Sequence, residues 1–150
     1  MSKLIKSIII ILFAVPAIWA SSAFAADRVY SSNGSVWNVS FVKTKPGKYD
    51  DYLADLNNVW RKSIEAQMKD GDILSYKIMN VAAPRRDESN LILMVEFKNW
   101  AAFDKSDEYF DALTKKLQGS VAASTQANID RGELRTLNGS TNLQEVKFKN

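Results

Sequence analysis

Residues 91–97 read Leu91-Ile92-Leu93-Met94-Val95-Glu96-Phe97, a nearly continuous apolar run. A strand buried on both faces has this composition, because neither set of alternating side chains meets water. Leu91, Leu93, Val95 and Phe97 fall on one face, and Ile92 and Met94 on the other.

Upstream of that strand, Ala82–Asn90 is a polar turn containing Pro84, and Asp72–Val81 (DILSYKIMNV) reads as a second strand. A long amphipathic helix precedes it, over about Lys48–Lys69. Tyr49, Tyr52, Leu53, Leu56, Val59, Trp60, Ile64 and Met68 recur there at three- and four-residue spacing. Asp50 and Asp51 suit the start of the helix and Lys69 its end, and Gly71 can terminate it. Before the break at Lys45-Pro46-Gly47, Val36–Thr44 (VWNVSFVKT) alternates Trp37, Val39 and Phe41 with Asn38 and Ser40, the period of a strand. Residues 26–35 (ADRVYSSNGS) are polar and turn-rich and read as a flexible leader.

Downstream, a second helical region is predicted from about Asn99 to Leu117 or beyond, with Trp100, Phe103, Tyr109, Phe110, Leu113 and Leu117 on its apolar side. Gln118–Asp130 is small and polar and either continues or ends it. Gly132–Leu137 and Asn142–Phe148 read as closing strand segments around Asn138-Gly139, a hairpin-type dipeptide. The order is β-α-β-β-α-β. That makes the predicted class α+β, a single ferredoxin-like domain over 36–150 with an antiparallel sheet. Asp50–Leu56 (DDYLADL) and Asp107–Leu113 (DEYFDAL) form a weak internal repeat in keeping with two similar halves.

The 150 residues contain no histidine and no cysteine. Catalytic triads with His, thiolate chemistry, imidazole ligands and disulfides are thereby excluded. Residues 1–25 read as a signal peptide: Lys3 and Lys6 precede the apolar run Ser7–Trp19, and Ala23-Phe24-Ala25 gives a cleavage site. The run is short for a membrane span and carries Pro16. The expectation is an exported chain, periplasmic or extracellular, with no membrane contact after cleavage. Removing Lys3 and Lys6 from 20 basic residues leaves 18 against 17 acidic ones. No dense basic stripe stands out, so no nucleic-acid partner is expected.

The strand Val36–Thr44 entering Lys45-Pro46-Gly47-Lys48, then Tyr52-Leu53 and Trp60, resembles the dimeric α/β-barrel superfamily. So do Ile73–Met79 after Gly71, the run Leu91–Phe97, and Trp100 beyond it. That superfamily includes antibiotic-biosynthesis-monooxygenase-like, stress-responsive barrel and NIPSNAP-like domains. The resemblance covers about Val36 to Leu117, and none of its segments is a diagnostic catalytic motif. It implies two four-stranded sheets packed face to face in a dimer, with the helices outside. The residues agree: helices on one face of the sheet leave Ile92 and Met94 wet, and an exposed apolar sheet face marks an interface. Whether that face pairs with itself, as a homodimer, or with another protein is open at the level of sequence.

The resemblance also implies a cleft between sheet and helices that takes small apolar or aromatic molecules. Some members oxidise such molecules with molecular oxygen and no cofactor. Others degrade haem with a histidine, and that chemistry does not transfer to a chain without one. No catalytic residue set carries over, so catalysis is an open question. The residues give their own candidates for ligand binding. Trp37, Tyr52 and Trp60 are aromatics with polar edges, suited to lining a cleft or to plain core packing. Asn38 and Ser40 interrupt an apolar strand and need partners. Arg61 follows Trp60 and suits an anionic group, or a solvated helix face. Glu96 breaks the apolar run near its end. No phosphate loop, dinucleotide fingerprint or metal motif is present, so no cofactor is expected. Three classes of function remain: a module that binds a small apolar or aromatic molecule, a cofactor-independent oxygenase acting on an electron-rich aromatic, and a structural dimer without a ligand.

Overall fold

The computed structural model describes residues 28–149; the expected signal peptide lies outside them. Four strands form one antiparallel sheet: β2 (Val36–Thr44), β3 (Ile73–Asn80), β4 (Leu91–Phe97) and β5 (Arg135–Gln144). Their order across the sheet is β3-β4-β2-β5. The run that opened the sequence argument is therefore an interior strand, paired with β2 on one side and β3 on the other. With helices between β2 and β3 and between β4 and β5, this is the β-α-β-β-α-β ferredoxin-like arrangement.

The first crossover is one continuous rod. Helix α1 (Tyr49–Asp55) passes through a π-helical turn (Leu56–Trp60) into α2 (Arg61–Lys69). The apolar spacing explains the wide turn. Tyr52, Leu56, Trp60, Ile64 and Met68 succeed one another every fourth residue. An α-helix turns once in 3.6 residues, so each such step overshoots by roughly 40°. Over four steps the stripe would rotate off the sheet. The π turn takes up an extra residue and returns roughly 100° of that drift. Tyr52, Leu56 and Ile64 are consequently all buried, with Trp60 and Met68 packed beside them.

Two buried clusters share that rod. Val42, Leu91 and Leu93 meet Tyr52 and Leu56 at one end, while Ile73 and Val95 meet Ile64 at the other. Trp60 packs against both and joins them. Val42, Leu93 and Val95 thus fix the helix side of the sheet. By alternation, Val36, Asn38, Ser40 and Thr44 share that side, and Trp37, Val39 and Phe41 face the other way.

The second crossover is divided more finely than the sequence suggested. A 3-10 turn (Trp100–Phe103) precedes α3 (Asp107–Gln118), and a separate helix, α4 (Val121–Arg131), follows. Gly119 breaks the two apart at φ +85°, a backbone setting that glycine adopts without strain. Ser120 then caps α4, its Oγ accepting from the Ala123 amide at 3.0 Å.

The end of the chain departs from the expected hairpin. β5 runs unbroken through Asn138-Gly139 alongside β2, with Asn138 as the extra residue of a bulge between the Phe41 and Val42 pairings. Asn138 donates to Ser89 Oγ at 3.1 Å, tying the bulge to the β3–β4 loop. Tyr30 and Ser31, read from sequence as leader, form a short strand, β1 (Tyr30–Ser31), against β6 (Lys147–Phe148). The Glu145 amide donates to Ser35 O at 3.0 Å beside it.

Candidate functional site

Tyr52 sits in the core at 1% exposure, enclosed by Val42, Leu56, Leu91 and Leu93. Burial pushes its phenol above the ordinary value, and the nearby Arg135 and Arg131 charges pull it partly back. Trp60 is half-buried and meets Tyr76 edge to face, with ring centroids 5.4 Å apart. Arg61 lies exposed on the rod and pairs with Glu65 at 3.5 Å. Trp37 and Asn38 are consecutive strand residues and so point to opposite sides of the sheet.

Trp37 belongs to the open face. It lies opposite Glu96 and Leu143, and the Lys77 ammonium stands 5.3 Å from its ring centroid. Glu96 accepts from Ser75 Oγ at 2.6 Å on the same face. Phe41, Ile92, Met94, Met79 and Leu143 complete an apolar surface there, with Met79 and Leu143 about half exposed. At its end the Asn138 bulge and the β3–β4 loop bound a pocket of about 460 Å³, floored by Phe41 and Ile92. A second hollow, about 320 Å³, lies between α2 and α3. Trp37, Asn38, Tyr52, Trp60 and Arg61 line neither.

Asn38 has a different setting. On the helix side its Nδ2 donates to Asn142 Oδ1 at 2.8 Å and to Ser140 Oγ at 3.3 Å. Ser40 and Ser140 hydroxyls lie 3.2 Å apart. These four side chains make a polar strip along β2 and β5, with Ser140 and Asn142 exposed. The next strand presents Val95 opposite Asn38 and Leu93 opposite Ser40. Both pack under the rod with Trp60. The structure therefore brings Asn38 and Trp60 to the same side of the sheet, separated by one strand. It leaves Trp37 on the far side and Tyr52 inside the core.

The strip offers amide and hydroxyl groups and nothing that titrates near neutrality. Such groups orient a ligand by hydrogen bonds; they do not supply a general base. Among the described residues no group of three acidic, His or Cys side chains is placed to hold a metal ion. Sequence reasoning found Asn38 and Ser40 but missed Ser140 and Asn142. Those lie about a hundred residues further along the chain, and only the β2–β5 register joins them.

No protein-family model matches the chain, and no curated protein matches it. Solved structures similar to it include ferredoxin-like dimers. Protein SO0527 from Shewanella oneidensis is 17% identical, with 79% of this chain and 98% of that one covered and a TM-score of 0.49. HapK from Hahella chejuensis is 7% identical, covering 73% and 91%, also at 0.49. A dimeric ferredoxin-like protein from an uncultured marine organism is 12% identical, covering 79% and 92%, at 0.48.

Proposed function

We propose that the chain is an exported homodimer whose subunits each hold a small, mostly apolar or aromatic molecule on the helix side of the sheet. The observation that carries this reading is the polar strip Asn38–Ser40–Ser140–Asn142 on the side of the sheet that holds the half-buried Trp60, with Leu93 and Val95 packed beneath that ring. An apolar wall with a few directional polar groups is the usual make-up of a small-molecule site. The open face of the sheet supports the dimer: Phe41, Ile92, Met94, Met79 and Leu143 are gathered on it, and a second copy would remove them from water. Binding without turnover accords with a strip made only of amides and hydroxyls.

Native mass spectrometry of the mature protein tests the reading. The expected result is a dimer that begins at Ala26 and carries an extra small mass. That mass is lost on Asn38→Ala. An empty wild-type protein that binds neither a polarity-sensitive dye nor any member of a mixed metabolite pool would leave the structural dimer in its place. Oxygen uptake with hydroquinone-like compounds would move the assignment to the cofactor-independent oxygenase.

A further inference from the structure

The hollow of about 320 Å³ between α2 and α3 belongs neither to the polar strip nor to the open face of the sheet. On α2 it is lined by Lys62, Ala66 and Lys69, at the four- and three-residue steps that share one helix face. On α3 it is lined by Leu113, Lys116 and Leu117, at the same steps. Ala66, Leu113 and Leu117 are half-buried, and the three lysines are exposed. The hollow thus has an apolar wall and a cationic rim. No residue of α3 is fully buried, so its leucines keep part of their surface in water.

The described lysines fall into two groups. Lys43, Lys45, Lys48, Lys105 and Lys147 each reach a carboxylate, and Lys77 lies over the Trp37 ring. Lys149 is engaged as well. Lys62, Lys69, Lys98, Lys115 and Lys116 have no such partner among the described residues, and Lys62, Lys69 and Lys116 meet at this one hollow. Two carboxylates also line it, and both are held by other groups. Glu65 lies 3.5 Å from Arg61 and accepts from the Tyr76 hydroxyl at 3.4 Å. Asp70 accepts from the Tyr109 hydroxyl at 2.6 Å. The lining therefore carries an excess of positive charge. Such an excess over low-dielectric walls concentrates ions of the opposite sign.

We propose that the α2–α3 hollow binds a singly charged anionic amphiphile, with its head among the ammonium groups of Lys62, Lys69 and Lys116 and its apolar tail on Ala66, Leu113 and Leu117. A lysine ammonium is a point charge without the planar fork of a guanidinium, so a carboxylate or a sulfate head serves it alike. The volume stands at the lower end of small-molecule sites, about 300–1,000 Å³, which suits one short chain. Inorganic phosphate would meet the lysines and leave the leucines wet. A neutral amphiphile would cover the leucines and leave the lysines facing one another. The hollow shares no residue with the polar strip, so this reading goes beyond the proposed ligand there and does not depend on it.

The test titrates octanoate, neutral octanol and inorganic phosphate into wild type and variants by calorimetry. Wild type is expected to bind octanoate about tenfold more tightly than either of the others. Lys69→Gln and Lys116→Gln should each weaken octanoate about two- to fivefold, the worth of one exposed ion pair, and the double variant about tenfold. Lys115→Gln, one position along α3 and off the hollow, should bind as wild type does. Ala66→Leu fills the hollow without changing a charge and should abolish binding. Asn38→Ala should bind octanoate as wild type does, so the hollow and the strip fail separately; loss of octanoate in that variant would place it on the strip and overturn the proposal. Equal affinity for octanoate and octanol also overturns it, as does tighter binding of phosphate. Equal weakening by Lys115→Gln and Lys116→Gln would reduce the effect to general charge and overturn it too. So would binding to phosphatidylglycerol vesicles with none to octanoate, which would make the lysines a membrane-facing patch. If Ala66→Leu does not fold, the exposed lysine variants still decide the matter.

Discussion

The two faces of the four-stranded sheet are cut from the same strands, yet they end differently. On the helix side, Val36, Val42, Leu91, Leu93 and Val95 are at most 7% exposed. On the open side, Phe41 is 37% exposed, Met79 49% and Leu143 51%. Both faces are apolar; what differs is the supply of cover. One rod, bent back into phase by a π turn, serves the first face over β4 and its neighbours. On the second face, among the described residues, only Val39, at 5% exposure, is buried. The less covered side is the one on which the proposed dimer would form.

The comparison can be broken or sharpened by substitution, beginning with the covered side. Leu91→Ala removes a side chain at 1% exposure from the cluster with Tyr52 and Leu56, and should cost about 2–5 kcal/mol in denaturant unfolding. A loss below about 1 kcal/mol would mean that the helix side is no better packed than the open one. Asp55→Ala should follow at about 2 kcal/mol, because it strands the covered Arg131 guanidinium. On the open side, Met94→Lys should change the intrinsic stability of one subunit by less than about 1 kcal/mol, since the side chain is only half-buried there. Its effect should appear in sedimentation, as loss of the proposed dimer. A dimer that survives the lysine would move the interface off this face. Asn38→Ala should cost about 1 kcal/mol, the worth of its paired hydrogen bonds at a partly exposed site.

A fifth expectation concerns the outer helices and alkaline pH. Burial and the bond to Asp70, 2.6 Å from its hydroxyl, push Tyr109 up to about 12. Asp72 adds to the rise, while the Lys105 ammonium lies over the ring at 5.0 Å. The folded phenol thus holds its proton more tightly than an unfolded one near 10. Its contribution is complete below about pH 10 and disappears as pH rises toward 12. Unfolding measured across that window should show declining stability, and Tyr109→Phe should flatten the decline. An unchanged slope in the variant would assign the loss to other groups.

Much of this could be read from the chain alone, wherever a pattern is local. The alternation in Val36–Thr44 and the solid run Leu91–Phe97 gave their strands directly, and the spacing from Tyr49 to Met68 gave the rod. The π turn left a trace in five apolar residues at strict fourth-residue spacing. That trace is visible only when drift is counted along with periodicity. Helix α4 was obscured by its small polar residues, although Gly119-Ser120 marked its start. Asn138-Gly139 was misleading because a bulge and a tight hairpin favour the same residues. The site was least legible. Asn38 declared itself by being polar on an apolar strand, but its partners depend on β5 register. Those partners lie about a hundred residues further along the chain.

The pairing of the first and last described strands has a mechanical consequence. Tyr30–Ser31 pairs antiparallel with Lys147–Phe148, and just inside that ribbon Val36 lies opposite Gln144. A force applied between the two ends meets the ladder one rung at a time, because antiparallel hydrogen bonds lie across the strands and along the pull. The molecule opens from its ends like a zipper, first the ribbon and then β5 from β2. Pulled apart between those two strands, it resists less than it would under shear along the strands of the same sheet.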